Sequence, residues 1–188
     1  NGNSSMSSIL KVDQLQDSGG NNLVTSNGSG VITAAGFGKV GQVLQTVKTD
    51  TFTSTSTSFT DITGLSVSIT PSSTSSKILV MAHVMGHGQN ASNHGLFRLL
   101  RNSTVVYAGD TAGSRASGFG DSITSDVNSQ QANVAIYLDS PSSTSSITYK
   151  IQGGTEAGTF YVNRSPNDSD SFARGRTASS ILVQEILP

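Results

Sequence analysis

Cysteine and tryptophan are absent from this chain of 188 residues, and only 12% of its residues are charged. Without cysteine the chain forms no disulfide, no thiolate nucleophile and no cysteine-ligated zinc or iron–sulfur centre. Aromatic residues amount to 6% of the sequence, which disfavours a broad stacking platform for carbohydrate. A small extracellular domain of this kind usually gains its stability through oligomerisation.

Excess charge of either sign is also lacking, since the formal net charge is −1. A chain without a basic surplus is poorly suited to a phosphate backbone, so we expect no nucleic-acid partner. No apolar run approaches the roughly 20 residues that span a bilayer, and we expect no membrane insertion. The N-terminus shows no basic stretch followed by an apolar one, which predicts no secretory signal.

One hexapeptide occurs twice, as Pro71–Ser76 and again as Pro141–Ser146. Each copy follows an apolar, strand-like run and leads into another. Proline sets φ at the head of a turn, and Ser and Thr hydroxyls satisfy nearby backbone groups. The repeat therefore predicts two similar hairpins, which are typical of a β-sandwich that uses one turn twice.

The region from residue 59 onward reads as one compact β domain. Alternating or continuous apolar runs recur at the spacing expected of a sandwich or jelly roll, with about eight strands. Asn102–Ser103 is a two-residue hairpin signal, and no stretch has the period of a long amphipathic helix. The fold class is therefore predicted as all-β, an antiparallel β-sandwich or jelly roll. Surface loops are expected at 86–95, 109–132 and 163–179.

Residues 1–50 differ in composition, being rich in Gly, Ser and Asn with only short apolar groups. Turn signals occur at 17–22 and 27–30, and the Asn27–Gly28 pair suits a type I′ hairpin. So little apolar surface does not support a monomeric fold, whereas several copies wrapped together can order. We expect an extended N-terminal attachment and oligomerisation segment at 1–50 and a jelly-roll domain at 51–188.

The order of elements in residues 59–188 resembles the jelly roll of the C1q/TNF-like superfamily. A proline-led turn enters a buried strand at 71–84, a strand ends at Arg101 before a hairpin, a strand pair covers 134–151, and an apolar strand closes the chain at 181–187. The resemblance implies a homotrimer whose inner sheets pack around a threefold axis.

A second resemblance lies in residues 6–33. Met6-Ser-Ser-Ile-Leu-Lys-Val-Asp-Gln-Leu-Gln-Asp-Ser-Gly-Gly-Asn-Asn22, followed by Ser26-Asn-Gly-Ser-Gly-Val-Ile-Thr33, is similar to the opening of bacteriophage virion proteins, especially tail-fibre-like proteins of marine phages. It implies a virion structural protein that attaches to other virion proteins by its N-terminus and faces outward with its C-terminal domain. It brings no catalytic residues.

Two predicted loops concentrate the candidate ligand contacts, because polar loops at the end of a sandwich commonly carry function. An aromatic ring can anchor a ligand and arginines can fork onto anionic sugar or protein groups. Asp168 and Asp170 can also ligate a hard cation such as calcium, although internal ion pairs with neighbouring arginines explain them better. The candidates are Arg164, Asp168, Asp170, Phe172, Arg174 and Arg176 in the first loop, and Arg115 and Phe119 in the second.

No metal or cofactor is assigned from the sequence. His83 and His87 share one face if the strand continues through Gly86, so a trimer can gather them around a metal, with His94 as a remote third ligand. A buried or interface role for His83 explains this pattern better. Gly36–Gly41 matches G-x-G-x-x-G, but the next residues read as a strand, whereas a dinucleotide site needs a helix there.

The sequence points to a non-enzymatic protein of the virion surface. We expect a trimeric tail-fibre or receptor-binding component, in which three copies multiply weak contacts with a host glycan or protein. The alternative is a capsid decoration, head-fibre or tail-assembly protein with a purely architectural role. A polysaccharide depolymerase is a third hypothesis, but no paired carboxylates or G-x-S-x-G elbow indicate hydrolysis.

Overall fold

The computed structural model describes residues 14–26, 28, 32–34, 39–88, 93–123 and 126–188. These residues form strands, turns and loops, and none of them lies in a helix. Accordingly, this part of the chain contains no helix with the length and hydropathy to cross a membrane. The chain divides into two units, Asn1–Gly38 and Lys39–Pro188.

The first unit contains a three-stranded antiparallel sheet in the order β1-β2-β3. The predicted turn at 17–22 joins the first two strands, and the Asp17 carboxylate accepts hydrogen bonds from the amides of Gly19 and Asn21 at 2.8 and 2.9 Å. The predicted turn at 27–30 lies outside the described residues except for Gly28. The strands are β1 (Gln14–Gln16), β2 (Asn22–Ser26) and β3 (Ile32–Ala34).

Apolar side chains of this small sheet stay in contact with solvent. Leu15 is 54% exposed and Leu23 is 42% exposed. No residue at 14–26 or 28 is buried. Strands without buried side chains, as at 14–16 and 22–26, gain little hydrophobic stabilisation to offset the entropy of ordering their backbone.

The second unit is a sandwich of two antiparallel sheets. A six-stranded sheet has the order β4-β14-β7-β13-β5, with β11 on the other edge of β7, and a five-stranded sheet has the order β10-β8-β12-β6, with β9 paired to β8. The strands are β4 (Lys39–Lys48), β5 (Phe52–Ser54), β6 (Thr60–Ile69), β7 (Lys77–Gly88), β8 (Gly95–Arg101), β9 (Thr104–Tyr107), β10 (Gly120–Ser122), β11 (Gln131–Asp139), β12 (Ile147–Thr155), β13 (Phe160–Val162) and β14 (Ser179–Leu187).

Side chains from the inner faces of both sheets form one core, as alternation along each strand requires. Val80 on β7, Phe97 on β8, Tyr149 on β12 and Ile181 on β14 are each fully buried in it. The predicted fold class, an antiparallel β-sandwich of the jelly-roll kind, is therefore confirmed.

The two identical hexapeptides are connections between sheets, and the prediction that they form hairpins is wrong. The segment 71–76 leads from β6 in the five-stranded sheet to β7 in the six-stranded sheet, and 141–146 leads back from β11 to β12. Because β6 pairs with β12 and β7 with β11, the two turns lie side by side at one end. A leading proline has no N–H for a sheet ladder, which favours departure from the sheet at that residue.

Three boundaries also differ from the prediction. Residues 39–48 were placed in the N-terminal segment, but they form β4, which pairs with β14 along its length. The loop predicted at 86–95 begins later, because β7 continues through Gly86 to Gly88; a β-carbon at Gly86 would lie 2.6 Å from the Phe97 ring, so the core requires glycine there. The loop predicted at 109–132 contains β10, paired with β8.

The ends of the sandwich differ in character. Lys39, the first residue of this unit, pairs with Leu187 at the end that carries the two hexapeptide turns, which we call the turn end. The connections from β7 to β8, β10 to β11 and β13 to β14 lie at the opposite end, the loop end. The first residue of the sandwich thus lies at the end opposite these loops.

Candidate functional site

The outer face of the six-stranded sheet is covered by apolar side chains in register. Paired residues of an antiparallel sheet project from the same face, so the register aligns them in rows across four strands. We call this surface the apolar sheet face. Its three central rows are Val43–Gln184–Leu79–Leu138, Gln45–Leu182–Met81–Ile136 and Val47–Ser180–His83–Val134.

Much of this face is open to solvent. Val134, Ile136 and Leu138 on β11 are 53%, 63% and 50% exposed, although the residues between them point into the core. A depression of about 260 Å³ lies beside them, partly lined by Met81 and His83. His83 is the single ionisable side chain in the three rows. Four strands and three rows cover on the order of 400 Å², and an apolar patch of that size is often functional.

The loop between β13 and β14 is organised around Asp168. Its carboxylate lies 3.2 Å from the Arg164 guanidinium and 2.8 Å from that of Arg176. Arg164 also lies over the Tyr161 ring, with its guanidinium carbon 5.1 Å from the ring centre. The interpretation of this loop as one with internal ion pairs is confirmed. Both carboxylate oxygens of Asp168 contact arginines.

Phe172, at the tip of the same loop, has a fully exposed aromatic ring. Asp170 and Arg174 line a polar depression of about 240 Å³ beside Asp168. The Nε atom of Arg174 is buried without a hydrogen-bond partner among the described residues. The six predicted residues of this loop therefore lie close together, and Phe172 and Arg174 are the ones best placed to meet a ligand.

Contacts with the neighbouring connection between β10 and β11 hold this loop. Gln130 donates from Nε2 to the carbonyl of Gly175 at 2.9 Å and accepts from the Thr177 hydroxyl at 2.6 Å. The amide of Asn167 donates to the carbonyl of Val127 at 3.3 Å. The loop end is thus a connected surface, with backbone and side-chain bonds between two loops.

The two candidates in the loop between β9 and β10 have different surroundings. Arg115 is exposed. Phe119 stacks on Tyr107 with 6.1 Å between ring centres and packs against the core. Phe119 is half-buried and its ring forms part of the covering of the core, so its role as a ligand contact stays a prediction.

Arg115 lines a cleft of about 400 Å³ on the outer face of the five-stranded sheet. Phe59 and Arg98 line it as well, and the Arg98 guanidinium lies 4.1 Å from the centre of the Phe59 ring. The remaining lining residues are Val105, Ala108, Gly109, Thr111, Ala116 and Ser117. We call this site the Arg98 cleft. The sequence analysis missed it, although a lone arginine within the apolar run Leu96–Leu100 signals an outward-facing charge.

The histidines do not form a metal site within the described residues, where no group of three His, Cys, Asp or Glu can hold an ion. His83 is half-buried on the apolar sheet face. His87 is fully buried; its Nε2 lies 2.9 Å from the carbonyl of Asp126, and its Nδ1 contacts the carbonyl of Gly88. His94 pairs with Asp121 at 2.6 Å. Both nitrogens of His87 therefore face carbonyl oxygens rather than His83.

Comparison with protein-family models finds no match, and none of the curated proteins matches the sequence. Among solved structures, VP2 in the subviral particle of infectious bursal disease virus is similar over 85% of this chain, with 11% identity and a TM-score of 0.40. The chain spans about 45% of the length of that VP2 chain. A similarity of this degree identifies neither a family nor a function.

Proposed function

We propose that this protein is a non-enzymatic, homotrimeric structural component of a virion, which binds a host surface through the loop end of its sandwich. The observation that carries the proposal is the apolar sheet face. A second copy of the chain is the occupant that we assign to it. The N-terminal segment attaches the trimer to other virion proteins.

A copy of the same chain suits the apolar sheet face because the rows offer almost no charge by which to select a different partner. Among the outward-facing residues of β7 and β11 that lie away from the loops, the ionisable groups are Lys77, at the turn end, and His83. Interface cores are depleted in charge and enriched in apolar side chains. In a trimer each face meets two neighbours, the arrangement implied by the resemblance of residues 59–188 to the C1q/TNF-like superfamily.

The positions of Lys39 and Phe172 at opposite ends of the sandwich support adhesion at the loop end. Lys39 lies at the turn end, and Phe172 lies in a loop at the opposite end. A trimer around the apolar sheet face keeps three loop ends on one side. Weak contacts by each copy then add up through avidity. The resemblance of residues 6–33 to phage virion proteins supports attachment through that segment.

The solution mass tests the trimer. We expect light scattering on the full chain to give about three times the 19.4 kDa chain mass at micromolar concentration. Ile136→Arg places a charge in the middle of the face and is expected to reduce the mass to that of one chain. Val127→Arg is the control, because Val127 is 42% exposed in a loop away from the face. A monomeric wild-type chain, or equal effects of both variants, overturns the proposal.

Cell binding distinguishes adhesion from a purely architectural role. We expect a labelled trimer to bind a subset of bacterial strains and Phe172→Ala to weaken that binding without a change in mass or thermal stability. Binding to no strain, or binding that is indifferent to changes at the loop end, favours the architectural alternative instead.

A further inference from the structure

The Arg98 cleft combines two cationic side chains with carbon-rich walls. Arg98 and Arg115 line it together with Phe59, Val105 and Ala116. Its volume of about 400 Å³ lies in the range of small-molecule sites. It opens on the five-stranded sheet, on the side of the sandwich opposite the apolar sheet face, so association through that face leaves it accessible.

Neither guanidinium in the cleft has a carboxylate partner among the described residues. Asp61 is the nearest acid in the ladder across β8, β12 and β6, but its oxygens accept from Lys150 and Gln152 at 2.7 Å each. The residues that line the cleft include no Asp or Glu. The lining of the cleft therefore carries two guanidinium groups and no carboxylate.

Arg98 is held in place by neutral groups only. Its Nε and Nη2 atoms donate to the Gln152 side-chain oxygen at 2.9 and 2.7 Å, and Phe59 covers one face of its guanidinium. Gln152 is itself oriented by its bond to Asp61. Burial lowers the pKa of Arg98 from its ordinary value, which reflects a charge partly removed from water without a counter-ion. An anion that enters the cleft gains a guanidinium fixed in advance.

The apolar walls of the cleft favour a sugar over a bare oxyanion as its ligand. Phe59 lies between this cleft and an adjoining depression of about 230 Å³, which Leu96, Ala116 and Glu156 also line. A pyranose ring has C–H faces that pack on aromatic and aliphatic groups, and hydroxyls that bond to polar rims. A bare phosphate or sulfate makes no use of these walls.

We propose that the Arg98 cleft binds an acidic sugar, with the sugar carboxylate between Arg98 and Arg115 and the pyranose ring against Phe59. This inference rests on the proposed host adhesion for its biological meaning, whereas sugar binding itself is a property of the single chain. The cleft then supplies a second contact with the host, separate from the loop end.

Titration of the full ¹⁵N-labelled chain with glucuronate, glucose and inorganic phosphate tests the inference. We expect glucuronate to shift the Arg98 Nε resonance and the amides at 108–117, and to bind about tenfold or more tightly than glucose. Arg115→Ala is expected to weaken glucuronate binding about fivefold to tenfold. Arg98→Lys, which keeps the charge but loses the planar fork, is expected to weaken it as well.

Lys77→Ala is the control, since it removes one positive charge from the turn end of β7, in the sheet that does not line the cleft. Loss of glucuronate binding in this variant, or equal binding of glucose and glucuronate, overturns the inference. Phosphate binding as tight as that of glucuronate overturns the assignment to a sugar. If the same sample has a trimeric mass but shows no response up to about 10 mM glucuronate, the inference about the cleft is overturned and the proposed function stands.

Discussion

At the scale of single residues, a buried carboxylate lies beside each of the two hexapeptide turns. Glu185 is 1% exposed and accepts from the amide and hydroxyl of Ser72 at 2.6 and 2.7 Å and from Gln42 Nε2 at 2.9 Å. Because a buried charge needs several hydrogen bonds to offset its loss of water, these contacts determine whether Glu185 stabilises the fold.

Asp139 plays the corresponding part beside the second turn. It is 4% exposed and accepts from Arg101 at 2.9 Å, from the Tyr149 hydroxyl at 2.6 Å and from the amide of Ser140 at 2.9 Å. Burial, with the neighbouring Asp139 carboxylate as a further cause, raises the pKa of Tyr149 far above its ordinary value. Each copy of the hexapeptide is therefore adjacent to a carboxylate that lies inside the sandwich.

Glu185→Gln is expected to lower the free energy of unfolding by about 1–3 kcal/mol at pH 7, because the amide nitrogen faces donors. Burial acts to raise the pKa of Glu185, but the hydrogen bonds from Ser72 and Gln42 outweigh it, and the pKa lies below the ordinary 4.5. Because the pKa of Glu185 is lower in the folded state than in the unfolded state, its carboxylate stabilises the fold at pH values above the unfolded-state pKa. This stabilisation is lost as the pH falls through the folded-state pKa.

Urea unfolding of the wild type and the Gln variant from pH 7 to pH 3 measures this effect. The difference between them is expected to shrink below about pH 4.5. Glu156→Gln, at an exposed carboxylate, is the control and is expected to change stability by less than about 0.5 kcal/mol. A constant difference across the whole pH range contradicts the assigned role of Glu185.

At the scale of elements, one sequence occupies two turns with different backbone conformations. Ser142, the second residue of the second copy, has φ of 51°, whereas Ser72 at the same place in the first copy is not in the left-handed region. Both copies share a bond from an amide to a hydroxyl two residues earlier, Ser75 to Ser73 and Ser145 to Ser143. The strands that flank each turn therefore decide its detailed shape.

The same substitution is expected to have opposite effects in the two turns. Ser72→Gly removes a hydroxyl bonded to Glu185 and frees the unfolded backbone, so it is expected to destabilise by about 1–2 kcal/mol. Ser142→Gly relieves a left-handed conformation and is expected to be neutral or to stabilise by up to about 1 kcal/mol. Paired urea titrations measure both, and equal losses in the two variants contradict this explanation.

At the scale of the whole molecule, the buried core described by the structure lies in the second unit. Among the described residues, the buried apolar cluster extends from Ile62 to Val183. β4 nevertheless lies outside the predicted domain of 51–188 and covers the edge of β14 from Ser179 to Leu187. An uncovered edge strand leaves backbone groups unpaired and favours aggregation.

Two truncations test this boundary. A chain of residues 39–188 is expected to unfold cooperatively, with a Tm within a few degrees of the full chain, because no core residue is lost. A chain of residues 51–188 is expected to lose at least about 10 °C in Tm or to aggregate. Thermal unfolding by circular dichroism measures both. Equal Tm values in the two truncated chains contradict the assignment of β4 to the sandwich.

The positions of most strands could be predicted, because alternation is a local property of the chain. The Asn102–Ser103 hairpin is confirmed by the pairing of Arg101 with Thr104. The pattern did not predict the extent of β7, where Gly86 looked like a strand end. Glycine is required there by the Phe97 ring, which comes from a different strand and leaves no trace in the local sequence.

The candidate sites were predicted only where they lie within one loop. The cluster of Arg164, Asp168 and Arg176 spans thirteen residues and was expected to form ion pairs. The Arg98 cleft joins Phe59 to Arg98 and Arg115, which are far apart in the sequence. No local pattern indicates which side chains meet across strands that pair at long range.

The sequence by itself determined that this is an antiparallel β protein and where most of its strands lie, since periodicity acts locally. Tertiary structure alone decided which sheet each strand joins and which apolar face remains open. Val134, Ile136 and Leu138 alternate with residues of similar apolar character, so neither face of β11 is marked as the buried one. Only packing against the second sheet buries one of those faces and leaves the other as the apolar sheet face.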